Sequence, residues 1–355
     1  MKKELPSGWQ EFQIKDICSI NYGKGLGKNN IVEGNIPVYS SGGIIGYHNE
    51  SLINSKGVII GRKGNAGSVF YSNSPFFCID TAFYVEANDN IDLKFLYYKL
   101  ISIKLERHKI DSAVPGINRD TIYSISITIP PIDEQKRIAD ILSTFDDLIE
   151  NLTKLIEKKE LYKKGVMQRV LSGKVRFEGF TDEWETYKFE DIFIRIAGKK
   201  YQINQNEYKE IGKHPVIDQG KKYITAYSDN ADKVFNNDNI IVFGDHTRIF
   251  KYVDFNFIIG ADGVQLLKTN KEFDTKFMYY NLSNQYIPNT GYNRHFKFIL
   301  DMSFYIPPSI EEQNKIAELL TLIDKDIEIL KRLLHLRKLQ KKGVMQKLLT
   351  GEVRI

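Results

Sequence analysis

Cysteine is scarce: the 355-residue chain has only Cys18 and Cys78. That excludes a disulfide framework or a zinc site built on cysteine pairs, and it suits reduced thiols in cytosol. The six histidines are scattered, so they form no cluster with metal-ligand spacing. No apolar run reaches the ~18 residues of a membrane span. The opening Met1-Lys2-Lys3-Glu4-Leu5-Pro6 lacks the apolar stretch of a signal peptide. A cytoplasmic protein with no membrane partner is therefore expected. Neither sign of charge dominates, since 50 basic residues face 45 acidic ones. The net +5 permits nucleic-acid binding without requiring it. Aromatic residues are plentiful, with 20 Tyr and 21 Phe, and the length suggests two or more domains.

Catalytic signatures are missing as well. Gly23-x-Gly25-x-Gly27 has the look of a nucleotide loop, but no strong strand precedes it and Lys28 is followed by Asn29. A flexible loop explains it. The double prolines follow Ile129 and Ile306 and are not the Asn/Asp-Pro-Pro-Tyr/Phe of amino-methyltransferases. Glu157-Lys158-Lys159 has nuclease-like spacing but lies in a helical stretch, where a solvated face accounts for it. Asp245-His246 is left as a polar loop pair, because no nucleophile or metal partner accompanies it. No catalytic residue, metal ligand or cofactor site is assigned to this chain.

What the chain does have is a long repeat. Ile129-Pro130-Pro131-Ile132-Asp133-Glu134-Gln135 opens a stretch that closes with Lys164-Gly165-Val166-Met167-Gln168 and Leu171-Ser172-Gly173-Lys174-Val175-Arg176-Phe177. Ile306-Pro307-Pro308-Ser309-Ile310-Glu311-Glu312-Gln313 opens the second copy. It closes with Lys342-Gly343-Val344-Met345-Gln346 and Leu349-Thr350-Gly351-Glu352-Val353-Arg354-Ile355. From the Glu-Gln pair onward the copies align without a gap. Ile138, Leu142, Phe145, Ile149, Leu152 and Ile156 alternate steps of four and three, the seam of a coiled coil. Ile316, Leu320, Ile323, Ile327, Leu330 and Leu334 repeat it. Ile141, Leu148, Leu155 and Tyr162 make a second stripe. Some 35 helical residues predict a rod of about 50 Å. Asp133 and a Ser309…Glu312 capping box are the expected helix starts, and Ser172-Gly173 and Thr350-Gly351 the stops. Gly165 and Gly343 are candidate kink sites. Matched stripes suggest that the two rods pack on each other, with the second stripe left for another subunit. Packing of each rod on a partner helix is the alternative.

Before each rod comes a globular segment in the same order. Trp9 to Ile17 matches Trp184 to Ile192, and Pro37-Val38 matches Pro215-Val216. Gly57 to Gly61 entering Arg62-Lys63-Gly64-Asn65 corresponds to Ile240 to Gly244 entering Asp245-His246-Thr247-Arg248. Asp92 to Tyr98 matches Asp274 to Tyr280, and Gly116-Ile117-Asn118-Arg119 is matched with Gly291-Tyr292-Asn293-Arg294. The fold class is α+β: two homologous mixed α/β globules, each followed by a long helix. The boundaries are 1–130, 131–177, 178–307 and 308–355.

With its paired Pro-Pro…Glu-Gln openings, its Lys-Gly-Val-Met-Gln…Leu-Ser/Thr-Gly-x-Val-Arg closings and its two globules, the chain resembles the specificity subunit of a Type I restriction-modification system. The resemblance covers nearly the whole chain. It implies two target-recognition domains, each reading one half of a split DNA site. The helices would pair as an antiparallel coiled coil with internal pseudo-twofold symmetry and fix the gap between the halves. It implies a non-catalytic subunit that recruits methylation subunits using S-adenosylmethionine and motor-nuclease subunits using ATP and magnesium.

Base readout favours Arg, Lys, Asn and Gln in loops, and phosphate contact favours Lys, Arg, Ser and Thr. On that chemistry the DNA-contact candidates in the first globule are Lys24, Lys28, Ser40, Ser41, Arg62, Lys63, Asn65, Asn118 and Arg119. In the second they are Gln219, Lys221, Lys222, His246, Thr247, Arg248, Asn293 and Arg294. Arg62 and Arg248 stand out because each follows an apolar strand. Asn118-Arg119 and Asn293-Arg294, present in both globules, suit a phosphate contact or a fold-stabilising turn. Tyr97-Tyr98 and Tyr279-Tyr280 are expected in the core. Two other classes remain: a coiled-coil scaffold whose globules bind protein, and a complete single-chain nuclease or methyltransferase. A steep salt dependence of DNA affinity separates the first from a DNA reader, and an activity assay on the isolated chain tests the second.

Overall fold

The computed structural model describes residues 5–27, 31–110, 113–236 and 238–355. They form two compact units: Met1–Thr153 with Arg332–Ile355, and Lys154–Lys331. The division cuts through both long helices rather than at their ends, because each helix half packs in a different unit.

In unit 1 the strands are β1 (Gln10–Gln13), β2 (Cys18–Tyr22), β3 (Ile36–Ser40), β4 (Gly43–His48), β5 (Gly57–Gly61), β6 (Val69–Ser72), β7 (Phe77–Cys78) and β8 (Ala82–Ala87). Helix α1 (Leu93–Ser102), the short α2 (Arg119–Tyr123) and strand β9 (Ser126–Ile129) follow, and then the long α3 (Ile132–Val170). One antiparallel sheet has the order β2-β8-β5-β6. A second, β4-β3-β7, contains a parallel pair, and β1 with β9 forms a ribbon. β5 is an unbroken apolar run buried along its whole length, as a central strand should be.

Unit 2 repeats this order. It has β10 (Glu185–Lys188), a short α4 (Phe189–Ile192), β11 (Phe193–Ile196), β12 (His214–Ile217), β13 (Ala226–Ser228) and β14 (Val234–Phe235). Then come β15 (Ile240–Gly244), β16 (Phe250–Val253), β17 (Phe257–Ile259), β18 (Val264–Thr269), α5 (Thr275–Asn284), α6 (Phe296–Leu300), β19 (Ser303–Ile306) and α7 (Ile310–Leu349). Its sheets are β11-β18-β15-β16, β13-β12-β17-β14 and the ribbon β10-β19. β12 and β17 pair in parallel, as β3 and β7 do.

Within each unit the two long helices run antiparallel. In unit 1, Glu134 at the start of α3 takes a two-pronged contact from Arg354 beyond the end of α7, with Nη2 donating at 2.8 Å and Nε at 3.2 Å. About three turns along α3, Asp146 pairs with Lys341 and accepts from Tyr98 of α1 at 2.5 Å. Unit 2 makes the same contacts from the corresponding positions. Arg176 donates to both oxygens of Glu312 at 2.8 Å, and Asp324 takes Lys163 at 2.5 Å and the Tyr280 hydroxyl at 2.8 Å. Burial first, with the neighbouring carboxylate adding to it, pushes both tyrosine hydroxyls well above their ordinary range, so they stay protonated donors. Tyr98 and Tyr280 are therefore core residues, as expected from sequence.

The glutamine after each glutamate ties helix to globule. The Gln135 side chain accepts from the Asp92 amide at 2.9 Å and donates to Pro130 O at 2.9 Å. Gln313 does the same with the Asp274 amide and Pro307 O, both at 2.9 Å. Asp92 and Asp274 in turn cap α1 and α5, accepting from Phe95 N at 2.7 Å and Phe277 N at 2.6 Å. Gly173 and Gly351 adopt φ of +70° and +71° just past the helix ends. A Cβ at Gly351 would come within 2.6 Å of Pro6 and 3.3 Å of Trp9, so glycine there serves both the turn and the close approach, while at Gly173 the turn alone calls for it.

Two expectations need correction. Asp133 does not cap α3: the helix begins at Ile132, and Pro131 O accepts from the Glu134 and Gln135 amides. The Ser309 hydroxyl does accept the Glu312 amide at 3.2 Å, but Glu312 spends its carboxylate on Arg176 and leaves the capping box half made. α3 and α7 run helical through Gly165 and Gly343, at 39 and 40 residues.

The seam is buried at Ile138, Leu142, Leu152, Ile156, Ile316, Leu320, Ile323 and Ile327, and half-buried at Phe145, Ile149, Leu330 and Leu334. Ile138 and Leu142 pack with Leu348 and Leu349 of α7 and with the globule core together, so they serve more than the helix pair. Leu142→Ala is expected to cost about 2–5 kcal/mol in denaturant unfolding. Leu161→Ala, on an exposed face, should stay within about 0.5 kcal/mol.

Lys99 is buried, and its ammonium donates to Leu349 O at 2.7 Å and to Thr128 Oγ1 at 3.2 Å. Among the described residues it has no carboxylate partner, and burial lowers its pKa from 10.5 to about 8. The unfolded chain then binds more protons between those two values, so this residue makes stability rise as pH climbs from about 8 to 10.5. In a comparison of melting temperature against pH, Lys99→Met should lack that rise.

Candidate nucleic-acid interface

In unit 1 the predicted residues gather at the end of the four-stranded sheet. Tyr22 ends β2, opposite Phe83 of β8, and the two rings meet edge-on with centroids 5.1 Å apart. Arg62 follows β5, whose last residue Gly61 pairs with Ala82 of β8. The Arg62 guanidinium lies 4.8 Å from the centre of the Tyr22 ring and donates from Nη1 to Asp80 O at 3.1 Å. Arg119, the first residue of α2, lies 5.3 Å from the same ring. Tyr123 anchors α2 to β2, its hydroxyl accepting from Ile20 N at 2.8 Å.

The neighbouring turns are tied in by short bonds. Ser40 Oγ accepts from Gly42 N and donates to Gly43 O. Ser68 Oγ bridges Ser41 O at 2.5 Å and Asn65 O at 2.7 Å, while Lys63 meets Gly116 in an isolated bridge. The Lys24, Lys63, Asn65 and Asn118 side chains are exposed on these turns. Lys28 lies outside the described residues.

In unit 2 the same turns are locked differently. Gln219 donates from its side chain to Asp262 O at 2.9 Å and accepts from the His246 amide at 3.2 Å, and its carbonyl accepts from Thr247 Oγ1 at 2.5 Å. The His246 imidazole stacks on Tyr292, with centroids 4.5 Å apart and planes within 7°. His246 Nδ1 sits 3.2 Å from Asn293 O, and Asn293 bonds back to Thr290 O. Lys221, Lys222 and Arg294 are exposed. The carbonyls of Asp218 and Lys222 accept from buried Lys251 at 2.8 and 2.6 Å, which shapes that turn from below.

One sequence match shifts. Asp245, directly after β15, stands where Arg62 does, as the aligned loops had it, and Arg248 lies three residues further on. Arg62 O accepts from Ile117 N and Asp245 O from His295 N. Asn118 nevertheless stands directly before α2 as His295 stands directly before α6, so Asn293-Arg294 precedes the position of Asn118-Arg119. The segment between α5 and α6 is shorter than that between α1 and α2, so the short Gly-x-Asn-Arg motif does not hold its place relative to the helix. Arg248 adopts φ of +61°, donates from Nη1 to Ile287 O at 3.1 Å, and has a buried Nε without a partner. It supports the loop rather than projecting from it. Asp245 is buried, accepting from Phe296 N at 2.8 Å, and does not form a catalytic pair with His246.

Sequence reading missed Tyr22 and Tyr292. Their signal was an aromatic beside a loop glycine, Gly23 or Gly291, amid candidate cations. Among the described residues, no group of three or more His, Cys, Asp or Glu side chains is arranged to hold a metal ion. No helix there is long and apolar enough to cross a membrane. Burial pushes the Cys18 and Cys78 thiols up to about 12, which keeps them unreactive.

The Type I restriction modification DNA specificity domain matches the chain twice, over residues 6–160 and 181–336. The chain belongs to this family. Both matches start in a globule and run into the following long helix. Among curated relatives, the Type I restriction enzyme MjaVIII specificity subunit of Methanocaldococcus jannaschii is 25% identical, covering 99% of this chain and 94% of its own. A putative type I specificity subunit of Mycoplasma pneumoniae is 28% identical over 86% of each chain. The fold is similar to the solved Type I restriction-modification S subunit from M. genitalium, with a TM-score of 0.72, 21% identity and 98% of each chain covered.

Arg248→Ala should lower stability by about 1–2 kcal/mol, since it leaves Ile287 O without its donor. Lys222→Ala, at an exposed side chain, should leave the melting temperature unchanged. Thermal melts of the two variants side by side check this.

Proposed function

We propose that this specificity subunit reads a split sequence in double-stranded DNA, unit 1 taking one half and unit 2 the other. One observation carries the reading: two copies of a single frame hold different chemistry at corresponding loops. Where unit 1 has Arg62 against Tyr22, unit 2 has buried Asp245 followed by the His246–Tyr292 stack. A frame kept constant while its loops differ suits recognition of two different half-sites. In this reading α3 and α7, about 58 and 60 Å long at 1.5 Å per residue, act as the spacer. Two readers on one spacer also gain affinity through effective concentration.

The subunit performs no chemistry of its own and holds no cofactor. Methylation subunits bring S-adenosylmethionine, and motor-nuclease subunits bring ATP and magnesium, in the cytoplasm where chromosomal DNA lies. Exposed apolar positions at seven-residue steps support helix docking by such partners: Leu148, Leu155 and Tyr162 on α3, and Leu322, Ile329 and Leu336 on α7. The same stripes favour the second reading, a protein-binding scaffold without DNA specificity.

The test is binding of the full chain, with and without methylation subunits, to duplexes selected from a random pool. A split consensus and an affinity that falls steeply with salt are expected. Arg62→Ala should lower discrimination in one half by about 10- to 100-fold and leave the other half intact. Equal affinity for selected and scrambled duplexes would leave only the scaffold reading.

A further inference from the structure

Resting on the DNA-reading function above, we propose that Tyr22 is a positioning residue that holds Arg62 to read a guanine in the half-site of unit 1. The contacts that repeat between the units belong to the frame: Glu134 with Arg354, Gln135 with Asp92, Tyr98 with Asp146, and their counterparts. The Tyr22–Arg62–Arg119 cluster does not repeat. In unit 2 the strand corresponding to β2 ends at Ile196, the residue in place of Arg62 is Asp245, and α6 opens with Phe296 in place of Arg119. A feature confined to one copy of a duplicated frame is where specificity belongs.

The geometry around Tyr22 restrains both guanidiniums. The ring is half exposed, and the sheet holds it through Phe83. Arg62 rests against that ring and spends one donor, Nη1, on Asp80 O. A guanidinium is planar and has five N–H donors, so contact with a fixed ring and a carbonyl sets the plane in which the rest point. That planar fork matches the N7 and O6 acceptors of guanine in the major groove. Among the described residues neither Arg62 nor Arg119 forms an ion pair with a carboxylate, although the two cations crowd one ring. An arriving electron-rich surface relieves that crowding. Arg119 sits at the start of α2 against the same ring, and its role is to meet phosphate beside the base that Arg62 reads.

The experiment uses the full chain with methylation subunits and its selected duplex, with each guanine of the unit 1 half-site replaced in turn by 7-deazaguanine. That change removes the N7 acceptor and keeps Watson–Crick pairing. For the wild-type chain, one position should lose about 10-fold in affinity. Tyr22→Leu and Arg62→Lys should each bind the two duplexes equally, while Tyr22→Phe, which keeps the ring, should retain the discrimination. Arg119→Ala should weaken both duplexes alike and reduce the salt slope by about one. A merely structural Tyr22 would lower affinity at every position without altering the ratio at one. If Tyr22→Leu does not fold, the Arg62→Lys and Tyr22→Phe pair still decides. Retained discrimination in Arg62→Lys, or in a folded Tyr22→Leu, overturns the proposal while leaving split-site reading intact. A wild-type chain with no sequence preference at all would overturn the DNA-reading function itself.

Discussion

Each unit depends on one buried carboxylate at the start of a long helix. Glu134 and Glu312 are 3% and 1% exposed, and each is ion-paired, among the described residues, by an arginine that arrives beyond the end of the other helix. A buried charge without its partner is costly, so the start of one helix and the end of the other must meet. The adjacent glutamine binds the cap of the globule helix, and the aspartate about three turns along binds its tyrosine. The arginine, glutamine and aspartate contacts thus fix the two helices to each other and the globule to both. Because the same residues supply them in each copy, the repeated motif and the repeated joint are one physical fact.

That arrangement frees the loops at the far end of the sheet. Among the described residues, the joint contacts do not include Tyr22, Arg62, His246 or Tyr292. The turns around those residues are held by local bonds, such as Ser68 to Ser41 O and Thr247 to Gln219 O. A substitution there changes what the surface presents without loosening the helix pair. The contrast between Arg62 and Asp245 shows how far this freedom extends. One position holds a half-buried cation in unit 1 and a buried loop lock in unit 2.

The frame was legible in the sequence because its contacts constrain both copies alike. The apolar steps from Ile138 to Ile156 marked the seam, and the match of Asp92 to Tyr98 with Asp274 to Tyr280 marked the segments that become α1 and α5. The repeat did not show which globule each helix half would join. That depends on contacts between residues as distant as Lys99 and Leu349, which carry no local signal. The interface was legible only by residue type. Arg248 looked equivalent to Arg62 because both follow an apolar strand, but its left-handed backbone and its bond to Ile287 O turn it inward. Asn293-Arg294 looked equivalent to Asn118-Arg119 because short motifs align without regard to loop length. Tyr22 and Tyr292 went unnoticed because their importance lies in the cation or imidazole placed against them.

The most direct test is a map of methylated bases in DNA from cells carrying this subunit with its methylation partner. Two specified blocks separated by a fixed number of unspecified bases are expected, one block for each unit. A single uninterrupted motif, or two blocks at variable separation, would contradict a pair of readers set on one spacer.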